Sequence, residues 1–555
     1  MLDLADIPSL FSLLSQAFIE NRVRLNALDT AIGDGDHGDT MVRAFRAAAS
    51  ASKTPADNLG VCFDLASQAL AEHTGGAIGP LLAAWFAEGG VLWAGKQQVD
   101  VDDFDLFLSR GLLAIQAIGE AQPGEKTLLD ALAPAQSAFS AAKTGGFIPA
   151  LEAAIQAAAL GAESTKEMKA ARGRARFLGE RSLGHLDPGA VSVTIILAGF
   201  QRVLCGERPQ PMVDEPLPFQ PPHGKLVNSP EGVIREDNEG LALAYPDLVR
   251  LSAEGILLRA QPKPAGKVAL VIGHGGGHTP SMGGLVGPGL LDGDVYGPLF
   301  TCASGVRIAR AIELAHRGGG VALLISNHAG DVLNARLAMR RALQAGIPTE
   351  GILLGDDVST SPRSALHERR GLGGLLFALK IGGALAEQGG DLQQVAQIMR
   401  KTNERTATLA VAVKAPTHPL TGQPLFDLPP GQIEIGAGVH GEPGVYRGKH
   451  LPANEIVDLL VDRLVEDLRG FDEQRLLVFV NGSGGTSRME LHLIYRRAHE
   501  QLSSQGFQIA ASVVESLFTT QDMGGFSLSL CAADDELLEY WHAPASAPAF
   551  HWPYR

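Results

Sequence analysis

A chain of 555 residues is too long for one hydrophobic core, so we expect two to four domains. An apolar share of 45% and a charged share of 19% are typical of globular proteins. The net charge of −15, with no basic block, argues against a nucleic-acid partner, because binding phosphates requires clustered Lys and Arg.

The cysteines and the first residues predict a cytoplasmic protein with no membrane partner. Cys62, Cys205, Cys302 and Cys531 are far apart and lack any metal-binding spacing, which indicates reduced, structural thiols. The opening residues MLDLADIPSLFSLL are acidic and do not resemble a signal peptide. No apolar run reaches the roughly 18 residues that a membrane span needs.

Residues 1–206 predict an all-helical domain. Pro8 is suited to the first turn of a helix, where its missing N–H has no cost. Apolar residues then recur at helical spacing. Further Ala- and Leu-rich runs lie at 58–72, 79–95, 103–118, 127–143, 148–162 and 190–204. Gly-rich segments separate them, so we expect a helix bundle whose loops carry the polar chemistry.

The segment DTAIGDGDHGDTM, residues 29–41, is the strongest candidate for a metal site. Asp29, Asp34 and Asp36 offer hard oxygen ligands, and the glycines allow a tight loop around an ion. This donor set suits Mg²⁺, whereas His37 alone does not make a zinc site. The alternatives are a solvated acidic loop or a Ca²⁺ loop, although the spacing is wrong for an EF-hand and its final Glu is missing.

Three further segments of the helical domain carry polar residues, and one of them is a candidate for binding phosphate. The loop HTGGAIGP, residues 73–80, either presents backbone N–H groups to phosphate at a helix start or is a plain helix–helix turn. The segment GEAQPGEKT, residues 119–127, has an extra Glu and lies between helices, so it is not a P-loop. Residues 173–192 gather Arg174, Arg181, His185 and Asp187, which is consistent with a site or with a helix-capping network.

The segment 207–224 contains six prolines and predicts a stiff linker. Beyond it, residues 225–555 show short β-type runs that end in Gly- and Asp-rich loops, with helical runs between them. This pattern indicates an α/β domain with ligand loops at the carboxyl ends of its strands.

These motifs resemble those of the dihydroxyacetone kinases over nearly the whole chain. The first half is similar to their nucleotide-binding domain in residues 28–41, 73–82, 124–132 and 173–192. The second half is similar to their substrate-binding domain in residues 273–291, 327–334, 355–358, 369–387, 436–447, 481–487 and 519–530. Familiar fused kinases carry the substrate domain first, whereas here the nucleotide domain leads.

The resemblance implies a barrel of eight antiparallel helices in the first half, with ATP and Mg²⁺ as cofactors. Asp29, Asp34 and Asp36 would hold two Mg²⁺ that bridge the ATP phosphates. The residues implied to contact the nucleotide are His37, Thr40, Thr74, Gly75, Gly76, Ala77, Gly79, Thr127, Arg174, Asp187, Pro188 and Gly189.

For the second half the resemblance implies two α/β subdomains and a covalent substrate complex. His440 matches the histidine that bonds to the carbonyl carbon of the substrate as a hemiaminal, which selects ketoses over glycerol. His278 and Asp331 match the acid/base pair at the reacting hydroxyl. Without the resemblance, His278 reads as a turn residue and Asp331 as the N-cap of a helix. The implied substrate-binding residues are Gly275, Gly276, Ser326, Asp331 and His440.

Several positions depart from the family pattern. Ser326 stands where the family has a substrate-contacting Lys, and His274 and Thr279 are unusual in the Gly-rich loop before residue 280. In the nucleotide domain, Ile78 replaces a customary Ser. Losing a long cationic side chain from a small pocket leaves room, so we expect that a four-carbon ketose such as erythrulose is accepted.

The sequence thus predicts an ATP-dependent kinase for the terminal hydroxyl of a short-chain ketose. Two alternatives stay open: a phosphotransferase-system form in which a partner protein rephosphorylates bound ADP, and a non-catalytic, carbonyl-binding regulator. The resemblance also implies a homodimer formed through the substrate domain.

Overall fold

The computed structural model describes residues 1–210, 219–442 and 444–553. The chain forms two compact units, Met1–Pro216 with Ser304–Val306, and Leu217–Ala303 with Arg307–Arg555. Of the proline-rich segment 207–224, residues 211–218 lie outside the described residues. Within the described ranges, no helix is both long and apolar enough to cross a membrane. The four cysteines are free thiols, and only Cys205 is exposed.

The first unit is a closed ring of helices, which confirms the predicted helical domain. Each helix packs on the next one in the chain, and the last packs on the first. A short antiparallel pair, β1 (Leu2–Asp3) and β2 (Gln98–Val99), lies beside them. The described helices of this unit are α1 (Ile7–Ile32), α2 (His37–Ala51), α3 (Leu59–His73), α4 (Ile78–Leu92), α5 (Val101–Gly119), α6 (Leu129–Ala142), α7 (Phe147–Ser164) and α8 (Pro188–Leu204).

Aromatic side chains form the core of this ring. The ring centroids of Phe63, Phe86 and Phe107 lie 5.8 to 6.2 Å apart, and all three side chains are fully buried. Such pairs contribute about 0.5–1.5 kcal/mol each beyond the burial of their area. The buried aromatic cluster therefore ties α3, α4 and α5 together.

Helix α2 was not among the predicted helices, because its first residues belong to the Gly- and Asp-rich segment that was interpreted as loop. The structure starts α2 at His37, so Gly38 is a buried helical residue. A Cβ atom on Gly38 would overlap the backbone oxygen of Arg22 and approach Asn26 Oδ1 to 2.7 Å. Gly38 thus permits the close packing of α1 and α2 rather than a loop around an ion.

The Gly38→Ala substitution is expected to destabilise the helical unit by about 2–3 kcal/mol, because a backbone oxygen of α1 leaves no room for a methyl group. The measurement is chemical unfolding of the full chain. Gly240→Ala is the matched control, since Gly240 is exposed in a helix and a Cβ there meets nothing within 4 Å. That control should be neutral or slightly stabilising.

The second unit contains two six-stranded sheets, which confirms the predicted α/β class with two subdomains. The first sheet has the order β3-β4-β6-β5-β7-β8, in which β6, β5, β7 and β8 are parallel. Its strands are β3 (Val249–Leu251), β4 (Leu257–Arg259), β5 (Ala269–Gly276), β6 (Gly293–Leu299), β7 (Val321–Ser326) and β8 (Thr349–Leu354).

The second sheet is mixed and has the order β11-β10-β9-β14-β12-β13. Only its β12–β13 pair is parallel. The strands are β9 (Thr406–Lys414), β10 (Gln432–Ile435), β11 (Tyr446–Lys449), β12 (Arg475–Gly482), β13 (Gln508–Glu515) and β14 (Gly524–Ala532), and a separate hairpin pairs β15 (Ala545–Ala547) with β16 (Phe550–Trp552).

The helices of the second unit cover both sheets. One core cluster contains α12 and α13 together with residues of both sheets, and two further clusters cover the opposite faces with α10 and α11, and with α14 and α15. The helices are α9 (Val233–Ala244), α10 (Gly305–Ala315), α11 (Ala329–Gln344), α12 (Leu375–Gln388), α13 (Leu392–Glu404), α14 (Ala453–Leu468), α15 (Arg488–Ser504) and α16 (Asp535–His542).

This topology positions the polar loops. The neighbouring parallel strands β5 and β7 end at the same edge of their sheet, where His278 follows β5 and α11 begins after β7. His440 lies in the turn between β10 and β11 of the other sheet.

Candidate active site

Three carboxylates meet where α1 ends and α2 begins. Suitable ligand atoms of Asp29, Asp34 and Asp36 lie within 4.8 Å of one another. Asp29 Oδ2 accepts hydrogen bonds from the backbone N–H groups of Asp36 at 3.0 Å and His37 at 3.3 Å. Arg174 forms an ion pair with Asp34. The structure therefore brings together all three predicted ligands and places the guanidinium group of Arg174 beside them.

The electrostatics of this cluster favour a bound cation. Burial raises the pKa of Asp29 to about 6, the charge of Asp36 adds to the rise, and Arg174 partly offsets it. The donor set is all oxygen, compact and negatively charged, which fits a hard divalent ion such as Mg²⁺. An ion there would relieve the repulsion between the carboxylates.

The start of α2 connects the carboxylates with the start of α8. Thr40 Oγ1 donates to Asp36 Oδ2 over 3.4 Å, and His37 Nε2 lies 2.8 Å from Ser192 Oγ. Burial lowers the pKa of His37 to about 4, so its imidazole is neutral at pH 7. Ser192, which the sequence did not single out, also donates to the Pro188 carbonyl at 3.0 Å.

The segments around Thr127 and Asp187 are held together by a buried lysine. Lys126 donates to the carbonyls of Thr165 and His185, and the backbone N–H of Asp187 donates to Thr165 Oγ1 at 2.9 Å. Asp187 caps α8, whose first residues are Pro188 and Gly189. Sequence reasoning missed Lys126 because the segment around it failed as a P-loop.

The loop of residues 73–80 forms the turn that enters α4. Thr74 is fully buried and donates to the Leu70 carbonyl, and a Cβ on Gly79 would overlap the Thr74 hydroxyl. The other residues proposed for this loop, Gly75, Gly76 and Ala77, precede the first helical residue, Ile78.

The carboxyl of Asp187 should make stability depend on pH. Burial raises its pKa to about 7 and the neighbouring Asp130 adds to the rise, while the Ala190 N–H and Lys126 partly offset it. The folded protein thus holds a proton that the unfolded chain releases near pH 4. The contribution to stability is present below pH 4 and is lost as pH rises to 7.

Asp187→Asn should match the wild type in unfolding free energy near pH 4 and exceed it above pH 7, because the amide keeps the acceptor for the Ala190 N–H without a buried charge. Denaturant unfolding at several pH values measures this. An equal pH dependence in both proteins would contradict the assignment to Asp187.

In the second unit, the imidazoles of His278 and His440 face each other. Their Nε2 atoms lie 3.0 Å apart, although the residues are far apart in the chain. His278 Nδ1 lies 2.7 Å from the Thr519 carbonyl, and His440 Nδ1 lies 3.3 Å from Glu442 Oε1. Carbonyl and carboxylate oxygens only accept, so each ring carries a proton on Nδ1. The contact between the Nε2 atoms is a hydrogen bond when the pair holds one further proton.

The pKa values of His278 and Glu442 are both lowered, which leaves the His278 imidazole neutral and the Glu442 carboxylate ionised. Burial lowers the pKa of His278 well below its usual value, and the charge of His440 lowers it further. Burial alone would raise the pKa of Glu442, but the charge and hydrogen bond of His440, together with Arg370, hold it well below its usual value. Glu442 is therefore an anion beside the His440 imidazole.

Along the chain, Ser326 precedes His328 and Asp331 follows it. The structure corrects the interpretation of Asp331 as an N-cap, because α11 begins at Ala329 with His328 at the cap position, and Asp331 belongs to the first helical turn. Ser326 Oγ lies 3.1 Å from His328 Nδ1. The His328 ring centroid is 6.2 Å from that of His440. Sequence reasoning did not propose His328, whose ring the structure brings close to both Ser326 and His440.

Gly275 and Gly276, the last residues of β5, lie where an added side chain would be crowded. A Cβ on Gly275 would lie 3.0 Å from the Phe300 carbonyl carbon, and one on Gly276 would overlap Ile234. The Phe300 ring lies 5.6 Å from the His278 ring and 5.9 Å from the His440 ring, so it forms an apolar wall beside the pair.

His274, unusual at its position, has a structural partner. Its Nε2 lies 3.2 Å from Oδ1 of the fully buried Asp294, and its ring packs on Tyr296 with centroids 4.4 Å apart. Burial raises the pKa of Asp294, and His274 partly offsets the rise. His274 thus lies directly beside a buried acid on the adjacent strand.

Both halves of the chain match known protein families. Residues 239–549 match the Dak1 domain and residues 31–202 match the DAK2 domain. The chain belongs to the dihydroxyacetone kinase family, as the sequence motifs predicted.

Two curated relatives are erythrulose kinases. The L-erythrulose kinase of Pectobacterium atrosepticum is 39% identical over 329 residues, 59% of this chain and 56% of the relative. The D-erythrulose kinase of Mycolicibacterium smegmatis is 38% identical over 326 residues, again 59% of this chain and 56% of the relative. The chain thus spans a little over half the length of these relatives.

Two solved structures share the fold. The dihydroxyacetone kinase of C. freundii in complex with AMP-PNP and Mg²⁺ has a TM-score of 0.55 and 29% identity, covering 60% of this chain and 62% of that one. The dihydroxyacetone kinase operon co-activator DhaQ has a TM-score of 0.54 and 31% identity, covering 57% of this chain and 97% of that one.

Proposed function

We propose that the protein is an ATP- and Mg²⁺-dependent kinase that phosphorylates the terminal hydroxyl of a short-chain ketose. The observation that carries this proposal is the His440 imidazole, bound through Nδ1 to the buried Glu442 carboxylate and directed through Nε2 toward His278. An imidazole held in this way is a nucleophile for a carbonyl carbon. The erythrulose kinases among the relatives support the same substrate class.

We assign the nucleotide to residues 1–206. Asp29, Asp34 and Asp36 would hold two Mg²⁺, which supply charge neutralisation at the ATP phosphates when bound. His37, Thr40 and the loops at 73–80 and 185–190 would contact the nucleotide. The C. freundii complex with AMP-PNP and Mg²⁺ supports this set of cofactors.

We assign the ketose to residues 225–555, where His440 would bind it covalently. The Nε2 lone pair of His440 forms the bond to the carbonyl carbon. The π electrons of the carbonyl move to its oxygen, which takes a proton from solvent, while the His440 ring becomes an imidazolium beside the Glu442 carboxylate. This hemiaminal fixes the substrate so that its terminal hydroxyl is oriented for transfer. His278 or Asp331 then accepts the hydroxyl proton as the oxygen attacks the γ-phosphorus.

A four-carbon ketose such as erythrulose is the substrate we favour over dihydroxyacetone. Ser326 replaces a long lysine and pairs with His328, a polar group suited to additional hydroxyls. The test is a coupled ADP-release assay with Mg-ATP on dihydroxyacetone, glyceraldehyde, and D- and L-erythrulose. A higher kcat/KM for one erythrulose enantiomer is expected, and a clear preference for dihydroxyacetone would overturn the four-carbon assignment.

The similarity to the co-activator DhaQ keeps a regulatory function as the second candidate. The carboxylate cluster and DAK2 domain on the same chain favour catalysis, since a carbonyl-binding regulator needs neither. ATP turnover that depends on ketose supports the kinase. Ketose binding without turnover supports the regulator, and turnover only with a phosphorylated partner protein supports a phosphotransferase-system form.

We further propose a cytoplasmic homodimer formed through the substrate domain. The free cysteines are consistent with a reducing compartment. Sedimentation of the full chain and of residues 225–555 would test the dimer and its location, and cell fractionation would test the compartment.

A further inference from the structure

Glu442 holds His440 at two points. Its Oε2 accepts the backbone N–H of His440 at 3.0 Å, and its Oε1 lies 3.3 Å from Nδ1 of the same residue. The Glu442 side chain is 6% exposed and that of His440 is 10% exposed. Because the carboxylate only accepts, the ring must donate from Nδ1, which leaves Nε2 as the atom that faces the pocket.

A buried arginine lies behind this carboxylate. Arg370 is fully buried, and its Nε donates to Oδ2 of the equally buried Asp357 at 2.9 Å. Its Nη2 donates to the Gly436 carbonyl at 2.8 Å. A Cβ on Gly438 would overlap Glu442 Oε2 and lie 2.5 Å from Arg370 Nη1, so both groups converge on this glycine. Asp357, Arg370 and Glu442 thus form a line of alternating charge that ends at His440.

We propose that Glu442 and Arg370 are positioning residues that hold His440 in its nucleophilic tautomer and stabilise the cationic ring that forms when a ketose bonds to it. This inference rests on the covalent step of the proposed function. Neither residue touches the substrate; Glu442 acts through the Nδ1 proton and Arg370 through Glu442.

Charge balance shows why such a partner is needed. When Nε2 uses its lone pair to bond the carbonyl carbon while Nδ1 keeps its proton, the ring becomes an imidazolium. A buried cation is costly unless an anion neutralises it. Glu442 lies where it can do so or accept the Nδ1 proton. The aspartate of the Ser-His-Asp triad acts on its histidine in the same way.

The test is Glu442→Gln, which preserves shape but removes the charge. A glutamine amide can donate to Nδ1, which forces the proton onto Nε2 and removes the nucleophilic lone pair. With [2-¹³C]dihydroxyacetone, the wild type should show a protein-bound tetrahedral carbon distinct from that of the hydrated ketone. Glu442→Gln should lose this resonance and about 10³-fold in kcat/KM. A variant that keeps the resonance would overturn the inference.

Glu434→Gln is the matched control. Glu434 is also buried, but it pairs with Arg447 and accepts from the Gly444 N–H at 2.7 Å rather than contacting a histidine. It should lower the melting temperature and retain the tetrahedral carbon. Loss of the resonance in both variants would mean that any buried Glu→Gln change disrupts the pocket, which would overturn the specific role of Glu442.

Arg370 has its own pair of variants. Arg370→Met should weaken the tetrahedral signal, and Arg370→Lys should restore part of it, because lysine keeps the charge between Asp357 and Glu442. Equal signals in both would overturn the role of Arg370.

A measurement on the wild type covers the case in which the variants do not fold. In protein with ¹⁵N-labelled histidine, His440 should show a downfield Nδ1–H proton, and its absence would overturn the inference. This measurement also separates failure of the inference from failure of the proposed function. A wild-type protein that shows the His440 Nδ1–H proton but no tetrahedral carbon would refute the covalent step alone.

Discussion

Replacing His440 with alanine is expected to lower kcat/KM for every accepted ketose by about 10³-fold. The alanine removes the Nε2 atom that the structure holds opposite His278 at 3.0 Å. Without the covalent bond, the terminal hydroxyl loses its fixed orientation toward the phosphoryl group. Steady-state kinetics with Mg-ATP and erythrulose or dihydroxyacetone measure this loss.

The loss should be confined to the ketose half of the reaction. The affinity for ATP, measured by calorimetry on the full chain, should stay within about twofold of the wild type, since the nucleotide is assigned to the other unit. His367→Ala is the matched control, because the His367 side chain is 75% exposed. Retention of more than a tenth of wild-type activity by His440→Ala would exclude the hemiaminal route.

The candidate metal site could be predicted from the sequence, because its residues are close together along the chain. Asp29, Asp34 and Asp36 lie within eight residues, so any compact turn brings their oxygens together, as the structure does. Repeating apolar spacing likewise predicted most helices of the first unit. Helix α2 was not predicted, because Gly38 is a poor helix former in isolation. In the structure, close packing against α1 favours a glycine at this position.

The contact between His278 and His440 could not be predicted from local sequence patterns, because the tertiary fold brings the two residues together. His278 and His440 meet through loops of two different sheets, and no periodicity along the chain indicates that contact. Only the family resemblance placed them together. It did not indicate Arg370, because a fully buried arginine is rare and is recognised only when its partner Asp357 is seen at 2.7 Å. Similarly, the sequence did not indicate the 3.1 Å contact between Ser326 Oγ and His328 Nδ1.

Asp36→Asn is expected to reduce ketose phosphorylation by about 10²–10³-fold at a fixed Mg²⁺ concentration and to raise the Mg²⁺ requirement. The substitution preserves shape but removes one negative charge from a cluster whose ligand atoms lie within 4.8 Å. Phosphoryl transfer depends mainly on charge neutralisation and positioning, so a weakened cation site should affect turnover directly. Titration of activity with Mg²⁺, and of the protein with Mn²⁺ by electron paramagnetic resonance, measures both effects.

Asp39→Asn provides the matched comparison, because Asp39 is only three residues away but accepts from Asn26 Nδ2 at 2.7 Å outside the cluster. It should bind Mn²⁺ as the wild type does. Formation of the tetrahedral ketose carbon should survive in Asp36→Asn, since His440 and Glu442 are unchanged. A protein with normal Mg²⁺ dependence after Asp36→Asn would show that the acidic segment is a solvated loop. A protein whose carbonyl chemistry also failed would show that the substitution disrupts the fold and not the cation site alone.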